Sequence, residues 1–208
     1  MAMDPLKIGV VAIQGDVSEH LDAVERAGAG AGIPVRAVQV RRQRELEGVS
    51  GLILPGGEST TISKLLVRFG LRDLIRDMVK AGTPIMGTCA GAVLLASRGD
   101  EEVEKTGTKL LELMPYAVMR NSFGRQKDSF EADLDIAGFD SPFHAVFIRA
   151  PLITDVWGDA EVLAKLNGDI VMVKSENRLA LSFHPELTDD TRIHEMFLRM
   201  CLNRSSRP

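Results

Sequence analysis

Lys7 to Ile13 (KIGVVAI) is a nearly continuous apolar run. That pattern predicts a strand buried on both faces of a parallel sheet. Gln14-Gly15-Asp16 turns the chain, and Leu21, Val24 and Ala27 then give Val17–Ala29 a helical apolar spacing. Pro34–Val40 and Gly51–Leu54 predict the next two strands, the latter stopped by Pro55-Gly56-Gly57. Helices are predicted over Thr60–Phe69 and Leu71–Lys80, with Gly70 between them. A fourth strand, Pro84–Thr88, runs through Cys89 into a small-residue helix over Ala90–Ser97. Strand and helix alternating at this pitch predict an α/β doubly wound sheet.

The second half changes period. Short alternating segments follow at Leu110–Met119, Ser129–Ile136, His144–Ile148, Val162–Leu166, Ile170–Lys174 and Leu179–Phe183. Gly138, Asn167-Gly168 and Asn177 mark their turns, and Asn-Gly is a strong hairpin signal. Antiparallel strands are therefore expected to extend a parallel core. Asp189–Cys201 closes as a helix with Ile193, Met196, Phe197 and Met200 on one face.

Composition narrows the class. The 208 residues suit one domain over 1–208, with the first five (MAMDP) a possible leader ahead of the first strand. An apolar fraction of 45% against 26% charged excludes a disordered chain. The net charge of -4 gives no basic excess for nucleic acid. The local run Arg36, Arg41, Arg42 and Arg44 reads as a solvated loop rather than a contact for an acidic partner. Two cysteines, Cys89 and Cys201, make no disulfide framework and suit a reducing compartment. No apolar stretch approaches the ~20 residues of a membrane span. The N-terminus lacks signal-peptide features, so a soluble, cytoplasmic protein is expected.

The sharpest chemical signal is Gly87-Thr88-Cys89-Ala90-Gly91 at a strand-to-helix junction. Two glycines flank a nucleophile-type residue, as in a nucleophile elbow, and the sulfur sits where open α/β sheets place their sites. A helix N-terminus there favours thiolate. Such a nucleophile needs a base, and the base an orienting partner. His20 and His194 fall in helices and His144 opens a strand, where an imidazole is expected at the surface or satisfied locally. His184 ends a strand and precedes Pro185-Glu186. In an extended chain at ~3.3 Å per residue, i and i+2 share a side, so Glu186 can reach one ring nitrogen while the other faces Cys89. Pro55-Gly56-Gly57-Glu58-Ser59 offers backbone N–H groups of Gly56 and Gly57 that, with Ala90, suit an oxyanion hole. Ser59 also reads as a helix cap. Residue types and order point to acyl transfer through a Cys-His-Glu triad.

Seven strings then carry a family resemblance: Ile13-Gln14-Gly15, PGGESTT (55–61), GTCAG (87–91), RNSFGRQ (120–126), DSFEADL (128–134), FIRAP (147–151) and SFHPELT (182–188). On them the chain resembles the pyridoxal 5'-phosphate synthase glutaminases, a branch of the class I, triad-type glutamine amidotransferases. The resemblance runs from about Lys7 to about Met200. Val93 stands where most class I members carry glutamine, which fits this branch and departs from the others.

The resemblance implies a flavodoxin-like three-layer sandwich with a mainly parallel central sheet. It implies Cys89 as nucleophile, His184 and Glu186 as relay partners, and hydrolysis of L-glutamine to L-glutamate and ammonia. Gly57, Glu58 and Ser59 match the glutamine-binding loop, and Arg120, Ile148 and Arg149 match other substrate-binding positions. Arg125 is expected to be structural or at a partner surface. The ammonia would pass to a synthase subunit in a hetero-oligomeric complex. Apart from the resemblance, the Gln14-Gly15 turn and the first helix, with Glu19 and His20, read either as the side that docks this partner or as a plain strand-to-helix turn with a solvated face. No Cys/His cluster has ligand spacing, so no metal is expected, nor any organic cofactor. A cysteine hydrolase of the DJ-1/intracellular-protease kind shares the sheet and elbow but leaves His-Pro-Glu, RNSFGRQ and FIRAP unexplained. A non-catalytic scaffold has no need of the triad.

Overall fold

A computed structural model describes residues 4–120 and 129–205. Strands β1 (Leu6–Val11), β2 (Val35–Val40), β3 (Gly51–Leu54) and β4 (Ile85–Thr88) form where the apolar runs predict them. Helix α1 (Val17–Ala31) follows β1, while α2 (Ser59–Arg68) and α3 (Leu71–Lys80) connect β3 to β4. Strands β1, β2, β3 and β4 run parallel.

After β4 come α4 (Ala90–Leu95), β5 (Ala96–Gly99), α5 (Glu101–Lys105), β6 (Met114–Met119), β7 (Ser129–Leu134) and β8 (Phe143–Ile148). The chain finishes with β9 (Leu152–Val156), β10 (Glu161–Leu166), β11 (Asp169–Ser175), β12 (Arg178–Leu181) and α6 (Arg192–Ser205). The main sheet has the order β2-β1-β3-β4-β12-β11-β9-β6-β5, with β10 paired to β11. Strand β12 lies parallel to β4, while β9, β10 and β11 supply the antiparallel extension. Asn167 and Gly168 both take positive φ, 51° and 96°, at the hairpin between β10 and β11.

Apolar side chains pack against both faces of the sheet. One core joins Val11, Leu52 and Leu54 to Ile62 and Leu66 of α2 and Leu71, Ile75 and Val79 of α3. The other joins Ile8, Val10 and Ile53 to Val24 and Ala27 of α1 and Ile193, Phe197 and Leu198 of α6. Helices on both faces of a largely parallel sheet make the three-layer sandwich.

Several predicted elements differ. The helix expected to Ser97 ends at Leu95, because Ala96 turns extended (φ -60°, ψ 151°) and opens β5, paired parallel with β6. The strand expected from Leu110 begins only at Met114. Glu112 takes φ 53°, which breaks an extended run, and Leu111 and Leu113 donate to the C-terminal carbonyls of α4 at Leu94 and Leu95. Strand β9 and helix α5 had no sequence signal. Strands β7 and β8 pair with each other as a separate two-stranded sheet instead of joining the extension. Their apolar side, including Phe143 and Phe147, packs on Phe183. Arg36, Arg41, Arg42 and Arg44 are all exposed, as a solvated run should be, but Arg36 stands in β2 and Arg44 in a 3-10 turn at Gln43–Leu46, not in an open loop. No helix is long and apolar enough to cross a membrane among the described residues.

Candidate active site

Cys89 joins β4 to α4 with φ 49° and ψ -105°, a conformation that side chains adopt rarely and that marks functional turns. Its neighbours explain the two glycines. A Cβ on Gly87 would lie 2.7 Å from the Gly91 backbone, and one on Gly91 would lie 2.1 Å from the Leu54 carbonyl oxygen. Only glycine lets α4 approach β3 and β4 this closely. The Cys89 N–H donates to Leu181 O at 2.8 Å, which ties the elbow to the end of β12. Its Sγ lies 3.7 Å from the carbonyl oxygen of Ile148.

His184 follows β12 and is anchored by its own N–H to Val146 O, 2.8 Å. Strands β4 and β12 are neighbours, so the sheet itself sets the cysteine beside the imidazole. Nδ1 of His184 lies 2.8 Å from Glu186 Oε1. Glu186 does not reach back along an extended strand end as expected. Residues Pro185–Leu187 form a 3-10 turn, which Pro185 favours at its first position, and the turn brings the carboxylate under the ring. Burial alone would lower the His184 pKa, but interactions with Asp16, Cys89 and Glu186 outweigh it and raise it. The imidazolium is thereby favoured. Burial pushes the Glu186 carboxyl up, opposed by the His184 charge.

Asp16, which sequence reasoning passed over as a turn residue, also faces the ring. Its Oδ2 lies 3.4 Å from His184 Nδ1, and the hydrogen bond with His184 holds its pKa below the usual carboxylate value. His20 and His194, expected at the surface or locally satisfied, are both fully buried beneath the triad. His20 therefore cannot be a docking residue, whereas Glu19 and Gly15 are exposed. Asp16 is the N-cap residue of α1 and His20 lies one turn inside the helix, a spacing that by itself names no partner for either.

The loop after β3 is stitched to the turn after β1. Asp16 N–H donates to Gly56 O at 3.2 Å, and Glu58 N–H donates to Gln14 Oε1 at 2.9 Å. Gly57 takes φ +148°. Gly56 packs against the imidazole: a Cβ there would lie 2.4 Å from His184 Cε1 and 2.7 Å from Asp16 Oδ2. Gly56→Ala is therefore expected to displace the ring or the loop. A misplacement near 1 Å costs on the order of 10²-fold in rate, readable as ammonia release from glutamine beside a melting curve. Wild-type turnover in that variant would show that the contact is not needed.

Gln14, Gly15, Asp16, Gly57, Glu58, Ser59, Cys89, Ala90, Val93, Arg120, Ile148, Arg149, Pro151 and His184 enclose a cleft of about 390 Å³. It opens at the carboxyl ends of the parallel strands, where α/β sheets bind ligands. All the expected substrate residues, Gly57, Glu58, Ser59, Arg120, Ile148 and Arg149, line it. So do Gly57 and Ala90 of the expected oxyanion group, while Gly56 sits behind, against the ring. Glu58 caps α2 through Thr60 N and Thr61 N and pairs with Arg120 Nη2 at 3.2 Å. Burial would raise its pKa, but the donors of Thr61 and Thr60 hold it at about 2. Arg120 also donates to Thr60 Oγ1 at 3.0 Å. Arg149 is exposed with φ 42°, so its backbone as well as its side chain shapes the rim. Arg125 and the rest of 121–128 lie outside the described residues.

Asp16, His184 and Glu186 also bring one possible metal-ligand atom each within 4.8 Å of one another. Both carboxylates, however, converge on the same nitrogen, Nδ1, which their hydrogen bonding already employs.

Comparisons with known proteins agree with the geometry. A profile of the SNO glutamine amidotransferase family matches residues 10–203. Proteins of Methanosarcina mazei and Archaeoglobus fulgidus, both named pyridoxal 5'-phosphate synthase subunit PdxT, are 50% and 52% identical to it. They align over 95% and 94% of this chain and 100% and 98% of their own. A solved structure described as a glutamine amidotransferase superposes with a TM-score of 0.84 at 45% identity, over 93% of this chain and 98% of its own. These relatives do not favour the intracellular-protease alternative. With a cysteine elbow, an adjacent His-Glu pair and a matching profile over nearly its whole length, the chain belongs to the SNO glutamine amidotransferase family.

Proposed function

We propose that this chain hydrolyses L-glutamine to L-glutamate and ammonia. We further propose that it delivers the ammonia to a synthase subunit that makes pyridoxal 5'-phosphate. The observation that carries the hydrolytic reading is the His184 ring, held by Glu186 at 2.8 Å beside the strained Cys89 elbow. The names of the relatives support the synthase assignment, and two cysteines without a disulfide suit the reducing cytoplasm.

In this reading the Cys89 thiolate attacks the γ-amide carbon, and the N–H groups of Ala90 and Gly57 receive the developing oxyanion. His184 gives its proton to the departing ammonia and leaves a γ-glutamyl thioester. The neutral ring then takes a proton from water, whose hydroxide adds to the thioester. Glutamate leaves and the thiolate returns. One glutamine and one water become one glutamate and one ammonia. Glu186 keeps Nδ1 protonated, so that Nε2 is the nitrogen that exchanges protons with the substrate. Free glutamine carries a carboxylate and an ammonium. The cleft offers Arg120 and Arg149 to the first and Glu58 to the second.

The isolated chain is expected to be a poor glutaminase that its partner switches on. Gly57 sits between a peptide whose carbonyl binds Asp16 N–H and one whose N–H binds Gln14. A partner bearing on the half-exposed Gln14 turn can thus rotate the Gly57 peptide at little steric cost. One missing oxyanion donor costs ~10²–10³ in kcat, enough for a switch. The check is ammonia release at saturating glutamine while synthase subunit is titrated in. Full activity in the isolated chain, unchanged by partner, removes the gating and leaves the triad standing.

A further inference from the structure

Beneath the triad lies a chain of buried polar groups that the hydrolysis does not itself employ. His20 of α1, His194 of α6 and Thr88 at the end of β4 are each fully buried. His20 Nδ1 lies 3.2 Å from His194 Nε2. On its other side, His20 Nε2 is hydrogen-bonded to Thr88 Oγ1 at 3.0 Å and lies 3.4 Å from Glu186 Oε2, a buried oxygen with no hydrogen-bond partner among the described residues. Burying two imidazoles against a carboxylate is costly unless each polar atom is matched, so this arrangement calls for a reason.

Proton placement supplies one. Burial pushes the His194 pKa down to about 3 and that of His20 well below its usual value, with the neighbouring histidines adding to the effect at His20. Both rings are therefore neutral, with one N–H each. If His20 carried its proton on Nδ1, its Nε2 lone pair could accept from the Thr88 hydroxyl but would still stand 3.4 Å from Glu186 Oε2, and His194 would hold a buried N–H at Nδ1. That Nδ1 has no hydrogen-bond partner among the described residues. With the proton on His20 Nε2, the N–H points toward Thr88 and Glu186, and His194 Nε2 donates to His20 Nδ1. The lone pair on His194 Nδ1 and Glu186 Oε2 are then the acceptors of this cluster left without a full hydrogen bond. The second arrangement avoids both an acceptor–acceptor clash and an orphaned donor.

We infer that His20, backed by His194, is a positioning residue for glutamine hydrolysis, holding Glu186 Oε2 so that Oε1 stays on His184 Nδ1. The inference rests on the triad reading above. Hydrogen bonds then run in one direction, from His194 to His20 and on to Thr88, while the same His20 N–H stands 3.4 Å from Glu186 Oε2, so that each oxygen of the buried carboxylate faces a donor. Without the donor at Oε2, the carboxyl group turns away from the imidazole, and the ring loses its orientation and tautomer.

The test uses the chain with saturating synthase subunit and compares His20→Asn, His20→Gln and His20→Leu. Asparagine places its amide near Nδ1, toward His194, whereas glutamine reaches the position of Nε2, toward Glu186. His20→Asn and His20→Leu are expected to lower kcat by on the order of 10–100-fold, the range for groups one shell behind a reactive centre, with KM for glutamine unchanged. His20→Gln is expected to recover most of it. On a Glu186→Gln background, measured on residual turnover, His20→Asn should add no further loss, because its effect runs through Glu186. Equal kcat in the Asn and Gln variants would overturn the inference. So would the same fold loss with and without Glu186→Gln. If His20→Leu does not fold, the Asn and Gln pair decides. Failure of the triad reading itself is distinguishable, since Glu186→Gln alone would then have wild-type turnover.

Discussion

Cys89→Ala abolishes glutaminase turnover and leaves the fold in place, whereas Cys201→Ser retains turnover in every folded molecule. The contrast follows from the two environments. Cys89 lies in the wall of the cleft beside His184, in a turn whose φ of 49° projects its side chain there. Removing the sulfur removes the atom that forms the thioester, and among the described residues no other side chain lining the cleft offers a nucleophile in that position. Cys201 is fully buried in α6, where burial pushes its thiol pKa up and keeps it inert. A Cβ on Gly51 would come within 2.4 Å of its sulfur, so the site is tightly filled. A serine there buries a hydroxyl at a cost of ~1–3 kcal/mol in stability, visible as a lower melting temperature and not as lost chemistry. Ammonia release and thermal melting on the two variants check both halves. Equal loss of turnover from both would sink the nucleophile assignment.

His184→Ala comes next in size. It removes the acid that protonates ammonia and the base that activates water, worth on the order of 10²–10⁴-fold. Glu186→Gln keeps size and position but can present an N–H to Nδ1, which stabilises the wrong tautomer, so a substantial though smaller loss is expected. Both are read as kcat at saturating glutamine with synthase subunit present. Wild-type turnover in Glu186→Gln would reduce the contact of 2.8 Å to a structural ion pair.

Local pattern carried much of this molecule. The continuous apolar runs of β1, β3 and β4 sit centrally in a buried sheet, where both faces must be apolar, so the pattern and the environment agree. The elbow was legible because its glycines answer a steric demand at the same place in the chain. His184 and Glu186 were legible because they are two residues apart, although a 3-10 turn and not a strand brings them together. What escaped depends on packing between distant segments. Nothing local marks Asp16 or His20 as facing His184; α1 must first dock against the ends of β4 and β12. The break at Glu112 and the strand at Ala96–Gly99 are set by partners in α4 and β6, so the helical pattern of Ala90–Ser97 ran on too far. The separate pairing of β7 with β8 follows from their packing on Phe183, which alternation alone does not reveal.

The central claim is that glutamine is opened by Cys89 in this cleft. Its most direct test is labelling with a glutamine analogue that carries a chloromethyl ketone in place of the side-chain amide, with synthase subunit present and peptide mapping of the product. The account predicts one label per chain, on Cys89, slowed by added L-glutamine and matched by loss of ammonia release. A label on another residue, or a fully labelled Cys89 in protein that still releases ammonia, would contradict it.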